Sequence, residues 1–212
     1  MATIEIVQLV CPECAADLMG PPLGPIFGCP RCRKSFSMIA RPPRLIDTVY
    51  VQPGHGGPAE PVYMPFWRVA IEPSFVVRSE EKRKRLEQRV PRIEQIFVWG
   101  WHIANALYFG DPLDELNKVD EAPDLTPDPD PRGFLAGASI APVEAVKLAR
   151  FLCLKLVDRY EDITGVDVRI KPRKLTLVAI PFFLEGDAII SGLSGNAYRR
   201  EIATDYLLIQ RT

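Results

Sequence analysis

Over residues 142–162, apolar positions recur every three or four residues. Val146, Ala149, Leu152, Cys153, Leu156, Val157 and Tyr160 fall on one stripe of a helical wheel, so the pattern predicts a helix from Pro142 to Asp162 with Pro142 in its first turn. Residues 79–90 are charged and helix-prone, and Pro91 marks their end. Elsewhere the period shortens to two. Short strands are predicted at Val166–Ile170, Lys174–Ile180, Phe182–Leu184 and Ala188–Ser191, with turn chemistry at Glu185-Gly186-Asp187 and at 192–196. Tyr63–Val77 contains Pro65 and Pro73, which predicts edge-like strands and not one long central strand. Ile93–His102 reads as an aromatic-rich strand that continues into an apolar stretch ending at Phe109. A last strand or short helix is expected over Ile202–Gln210. Met64-Pro65-Phe66-Trp67 echoes Ile180-Pro181-Phe182-Phe183. A sheet built from two related halves would produce this, and so would chance.

Composition narrows the class. The chain has 212 residues, 47% hydrophobic and 25% charged, with a formal net charge of −1. Apolar content this high excludes disorder of the whole chain, and balanced charge excludes a globally basic nucleic-acid binder. The length allows one large domain or two small ones. Proline, at 21 residues, is about twice its usual frequency. Residues 41–65 hold six of these prolines beside Gly54-His55-Gly56-Gly57, which reads as a linker. Asp111–Pro131 holds eight acidic residues, one lysine and five prolines, and reads as a solvated loop. Met1–Val10 has no basic segment or cleavage site of a secretory signal. The longest nearly apolar run, Ile96–Gly110, is shorter than the roughly 20 residues a membrane helix needs, and it carries His102 and Asn105. The expectation is a cytoplasmic chain without a transmembrane segment.

Four of the five cysteines form two C-P-x-C turns, Cys11/Cys14 and Cys29/Cys32, separated by fourteen residues. Each turn presents two sulfurs from one tight loop, and proline pre-sets its backbone. Two such turns supply the four thiolates of a tetrahedral site. The expected ligands are therefore Cys11, Cys14, Cys29 and Cys32, with zinc as the metal and iron as the lesser alternative. Two disulfides would require an oxidising compartment. Cys153 falls inside the predicted helix stripe and reads as a buried structural thiol.

Residues 1–40 resemble the zinc-ribbon family, including its rubredoxin-like four-cysteine members. The resemblance rests on Cys11 to Cys32 and on flanking strands at Ile4–Val10, Pro25–Gly28 and Ser35–Ile39. It implies a metal and a small three-stranded fold, and leaves function open. The family often has glycine after the second cysteine of each knuckle, where this chain has Ala15 and Arg33. Pro65 to Trp67 extends the likeness to bacterial proteins in which a zinc ribbon precedes a proline–phenylalanine–tryptophan strand. That likeness implies no reaction.

The combined reading is an α+β chain: a zinc ribbon over 1–40, a Pro/Gly-rich linker over 41–61, and an α+β domain over 62–212. That domain has a mostly antiparallel sheet with the helix from Pro142 packed on it. The sequence contains no phosphate-binding loop, dinucleotide fingerprint or nucleophile elbow. Two histidines limit general acid–base chemistry. His55, in a glycine loop, reads as solvent-exposed. The acidic residues of 111–131 do not match a calcium loop. The closed metal site, the scarce histidine and the aromatic strands point to a non-catalytic structural or adaptor subunit that contacts other proteins. The alternative is a nucleic-acid-binding accessory protein. It would use segment 78–92, with seven basic and three acidic residues, and segment 169–174, with Arg169, Lys171, Arg173 and Lys174. A further alternative is an enzyme with no recognisable motif.

Overall fold

The structure, a computed structural model, describes residues 9–21, 24–56, 59–101, 112–119, 123 and 125–203. In chain order the elements are β1 (Ile26–Gly28), β2 (Ser35–Ser37), β3 (Arg44–Ile46), β4 (Thr48–Tyr50), β5 (Val62–Val76), α1 (Glu80–Arg89), β6 (Gln95–Trp99), α2 (Pro112–Leu116), α3 (Pro142–Val157), β7 (Asp167–Glu185), β8 (Ala188–Ser191) and β9 (Ala197–Arg199). A 3-10 turn follows at Arg200–Ala203. The fold is α+β. A three-stranded antiparallel sheet runs β1-β2-β3, and a larger sheet runs β6-β5-β7-β8-β9 with β4 added to β7. Every pairing in the larger sheet is antiparallel except β4 with β7.

Local sequence explains both longer helices. Ser79 caps α1 by accepting from the Lys82 N–H at 3.3 Å, and Glu80 and Glu81 occupy the positive end of the helix. Glu144 reaches back to the Ala141 N–H at 2.9 Å and closes the first turn of α3 behind Pro142. Ala145, Ala149, Leu152, Cys153, Leu156 and Val157 form the buried face of α3, which ends at Val157 and not at Asp162. The Trp67 indole donates to the Ile140 carbonyl at 2.9 Å, tying the middle of the sheet to the start of that helix.

The two proline-bearing stretches correct the expectation of short, edge-like strands. Val62–Val76 is one strand with β6 on one side and β7 on the other, and the three strands expected between 166 and 184 are the single strand Asp167–Glu185. Proline is excluded from a central strand only where a neighbour needs its missing N–H. On β5 the Pro65 carbonyl and the Ile71 N–H face the β6 side, where they meet Gly100 and Glu94. The Pro65 nitrogen therefore points where β6 ends. Pro73 lies past Ala70, the last β5 residue paired with β6. On β7, Pro172 lies beyond β4, which pairs only Leu177 to Ala179. The Pro181 carbonyl meets Gly192, where β8 ends.

The echo between Met64–Trp67 and Ile180–Phe183 has a structural counterpart. Met64 and Ile180 are direct partners in the β5–β7 ladder, so the two motifs run antiparallel about that pair. Gly100 N–H donates to the Pro65 carbonyl, as Gly192 N–H does to that of Pro181. The Gly100 carbonyl then accepts from Ser139 and Ile140, and the Gly192 carbonyl from Gly54 and His55. One local arrangement is thus built twice.

The segments read as linker and as acidic loop carry elements of their own. Residues 41–61 carry β3 and β4, which join different sheets with only Asp47 between them. The acidic segment contains α2, whose Glu115 accepts from the hydroxyls of Ser191, Ser194 and Tyr198. Asn117 brackets the edge of β6, accepting from the Phe97 N–H at 2.7 Å and donating to its carbonyl at 3.0 Å. The segments expected at Ile4–Val10 and Ile202–Gln210 fall largely outside the described residues, as do His102 to Phe109. No helix of the described residues is long and apolar enough to cross a membrane.

Candidate metal centre

Each C-P-x-C segment folds as a tight turn closed by backbone hydrogen bonds. Ala15 N–H donates to the Cys11 carbonyl and Cys11 N–H to that of Ala16; Arg33 N–H donates to the Cys29 carbonyl and Cys29 N–H to that of Lys34. Ala15 and Arg33 adopt φ of +57° and +60°. Both knuckles therefore keep the left-handed step that glycine usually supplies, at a cost of roughly 1–2 kcal/mol for each side chain. Ala15→Gly relieves that step at one position, offset in part by the greater freedom of glycine in the unfolded chain. The variant is expected to be more stable by roughly 0.5–1 kcal/mol, a rise of about 1–4 °C in the melting midpoint.

The two turns bring four sulfurs together. Cys11 Sγ lies 3.6 Å from Cys32 Sγ and Cys14 Sγ 3.4 Å from Cys29 Sγ, and all four atoms lie within 4.8 Å of one another. A tetrahedral ion about 2.3 Å from each thiolate needs sulfur–sulfur edges of about 3.8 Å, so the cluster fits one ion. Neither pair is at the roughly 2.0 Å of a disulfide. Cys11 and Cys29 are buried, while Cys14 and Cys32 are half-buried. The four thiols share one small volume. Burial pushes Cys29 up, but the N–H groups of Cys32 and Arg31 and the Cys14 thiol outweigh it and bring Cys29 down to about 7. Burial dominates at Cys32, pushed up to about 12 with help from the neighbouring thiols. A cation at the centre would favour all four thiolates.

The surroundings are small. Cys11, Leu18, Phe27, Cys29 and Phe36 form a separate core of five buried side chains. β1 divides its residues between two cores: Phe27 packs into this one, and Ile26 into the main core beneath the larger sheet. Ile26 also exchanges backbone hydrogen bonds with Ala138, at 3.3 and 3.1 Å. Gly28 and Gly137 allow that approach. A Cβ on Gly28 would lie 1.7 Å from the Leu135 carbonyl oxygen, and one on Gly137 would lie 2.2 Å from that of Ile26. An exposed ion pair between Arg33 and Asp130, at 2.9 Å, adds a second link. The docking segment 135–138 was not read from sequence; its Ala136-Gly137-Ala138 run of small residues was the available signal.

The other singled-out residues stay apart from this centre. Cys153 is fully buried on α3, and burial alone pushes its thiol up to about 11. His55 is exposed, and His102 lies outside the described residues. The basic segments are heavily paired. Lys82 meets Asp162, Arg83 meets Glu80, Arg85 and Arg89 share Glu161, Arg92 meets Glu94, Arg173 meets Glu72 and Lys174 meets Asp47. No protein-family model, curated protein or solved structure matches this chain.

Proposed function

We propose that the chain is a non-catalytic zinc-binding subunit, held in the reducing cytoplasm, that acts as an adaptor through contacts with other proteins. Cys11, Cys14, Cys29 and Cys32 hold zinc, with iron the lesser alternative. Four thiolates leave no open coordination position, so the metal stabilises the ribbon and activates no water. On this reading residues 1–40 are a metal-held unit seated against the α+β body.

The observation that carries the adaptor reading is the outer face of α3. Opposite its buried stripe, Val143 is 63% exposed, Phe151 55% and Leu148 36%. These side chains share the outer face with the charged Glu144, Lys147 and Arg150, and a group of exposed large apolar side chains amid charged ones is a feature of contact surfaces. The test is recovery of the tagged chain from its native cells at near-physiological salt, with Phe151→Glu beside it. A defined partner in stoichiometric amount, lost from Phe151→Glu while metal content and circular dichroism stay unchanged, is the expected result. Recovery of a lone monomer, or equal recovery of the partner by the variant, overturns the reading.

The nucleic-acid alternative draws less support, because the ion pairs of segments 78–92 and 169–174 already engage most of their charge. It would gain from oligonucleotide binding with a steep salt dependence. Turnover of a small molecule would favour the enzyme alternative.

A further inference from the structure

Arg68 occupies the middle of the larger sheet, a position where a β-branched or aromatic side chain packs best. It is half-buried between Phe97 of β6 and Thr176 of β7, its direct cross-strand partners. Other half-buried cations have partners: Arg33 meets Asp130, Lys34 meets Glu13, Lys82 meets Asp162, and Arg85 meets Glu81 and Glu161. The Arg68 guanidinium has no hydrogen bond or ion pair among the described residues. Partial removal of a guanidinium from water without a counter-charge is unfavourable, and an anionic ligand would offset that cost.

The next rung of the sheet is Gln95–Ala70–Lys174. Residues directly opposed across strands share a face, with Cβ atoms about 5 Å apart, and successive rungs on one face lie about 7 Å apart. Ala70 therefore leaves a hollow one side chain deep, bordered by Arg68, Gln95 and Lys174. The Gln95 amide has no partner among the described residues. Lys174 is held by Asp47 at 2.7 Å, and Asp47 also accepts from Thr176 at 3.5 Å. Asp47 is thus engaged by Lys174 and Thr176 and makes no ion pair with Arg68. The ladder shifts register between Ala70 and Ile71, and a bulge of this kind re-aims side chains beside it.

We propose that the hollow over Ala70 binds an oxyanion group, phosphate or carboxylate, of a small ligand. The Arg68 guanidinium supplies the forked donor pair, and the Gln95 amide and Lys174 ammonium contribute at the rim. This site is separate from the metal centre and from α3, so it stands or falls independently of the adaptor reading.

The test titrates the full metal-bound chain with inorganic phosphate or acetate against sodium chloride at matched ionic strength, following the melting midpoint. Saturating oxyanion is expected to raise the midpoint by about 3 °C over chloride. Arg68→Met should abolish the rise, and Arg68→Lys, which keeps the charge but not the fork, should retain part of it. A rise with phosphate alone identifies a phosphoryl ligand, and an equal rise with acetate a carboxylate; either supports the site. Should Arg68→Met fail to fold, Gln95→Leu serves instead and should weaken the apparent affinity several-fold. No rise in the natural chain, or an undiminished rise in the folded variant, overturns the proposal. So does a single-stranded oligonucleotide that binds more than tenfold tighter than phosphate and loses that binding in Arg68→Met, because the site would then belong to a nucleic-acid backbone.

Discussion

Stripping the metal with a chelator, or replacing Cys29 with serine, is expected to melt residues 11–37 while β5, β6 and β7 stay folded. Two of the five side chains in the small core around the four cysteines are themselves cysteines, Cys11 and Cys29. What remains without the ion is Leu18, Phe27 and Phe36, far too little apolar area to offset the ordering of some thirty residues. Metal binding supplies roughly 10–16 kcal/mol in small structural sites of this kind, so its loss decides the state of the ribbon. The body has its own core around Tyr63, Phe66, Trp67, Phe97 and Phe182. It would lose only Ile26 and the cover over residues 135–138. Amide exchange should show protection lost across the knuckles and retained in β5 and β7, with the body melting a few degrees lower. Elemental analysis of the untreated protein should find about one metal ion per chain. Loss of protection throughout the chain in a single step would mean that ribbon and body form one cooperative unit.

Gly28→Ala should have the second-largest effect, by a different route. Its new Cβ would lie 1.7 Å from the Leu135 carbonyl oxygen, and the obstacle is backbone, so no rotamer change relieves it. β1 must move away from segment 135–138, breaking both hydrogen bonds between Ile26 and Ala138 and opening the main core at Ile26. The expected cost is roughly 2–4 kcal/mol, a fall of about 5–15 °C in the melting midpoint, with the metal still bound because no ligand is touched. Gly56→Ala is the control. No atom lies within 4 Å of a Cβ placed there, so its effect should stay within about 0.5 kcal/mol. An unchanged midpoint for Gly28→Ala would show that the ribbon does not depend on this backbone contact.

The edges of the sheet follow the same logic of partners supplied or withheld. Pro73 lies past the last partner that β6 offers, Asn117 closes the backbone of Phe97, and the Arg150 Nε donates to the Val168 carbonyl at 2.8 Å. Each removes a free donor or acceptor from an edge that could pair with another chain.

Sequence alone determined whatever depends on near neighbours. The Cys11–Cys14 and Cys29–Cys32 spacings are local turns, and two such turns have few ways to arrange four sulfurs other than around a common centre. The apolar stripe from Val146 to Tyr160 and the charged run of 79–90 before Pro91 are likewise set within a few residues, so both helices were legible with only their ends displaced. The α+β class followed from the same periodicities.

Only the tertiary structure decided whether Pro65, Pro73, Pro172 and Pro181 could sit in the two longest strands. Proline fails in a sheet when a partner carbonyl waits for its N–H, and that depends on where β4, β6 and β8 end, which β5 and β7 do not encode locally. The contact of Gly28 with Leu135 and the hollow bordered by Arg68, Gln95 and Lys174 have the same origin. Each joins residues far apart in the chain, brought together by register and packing, and no local pattern carries that information.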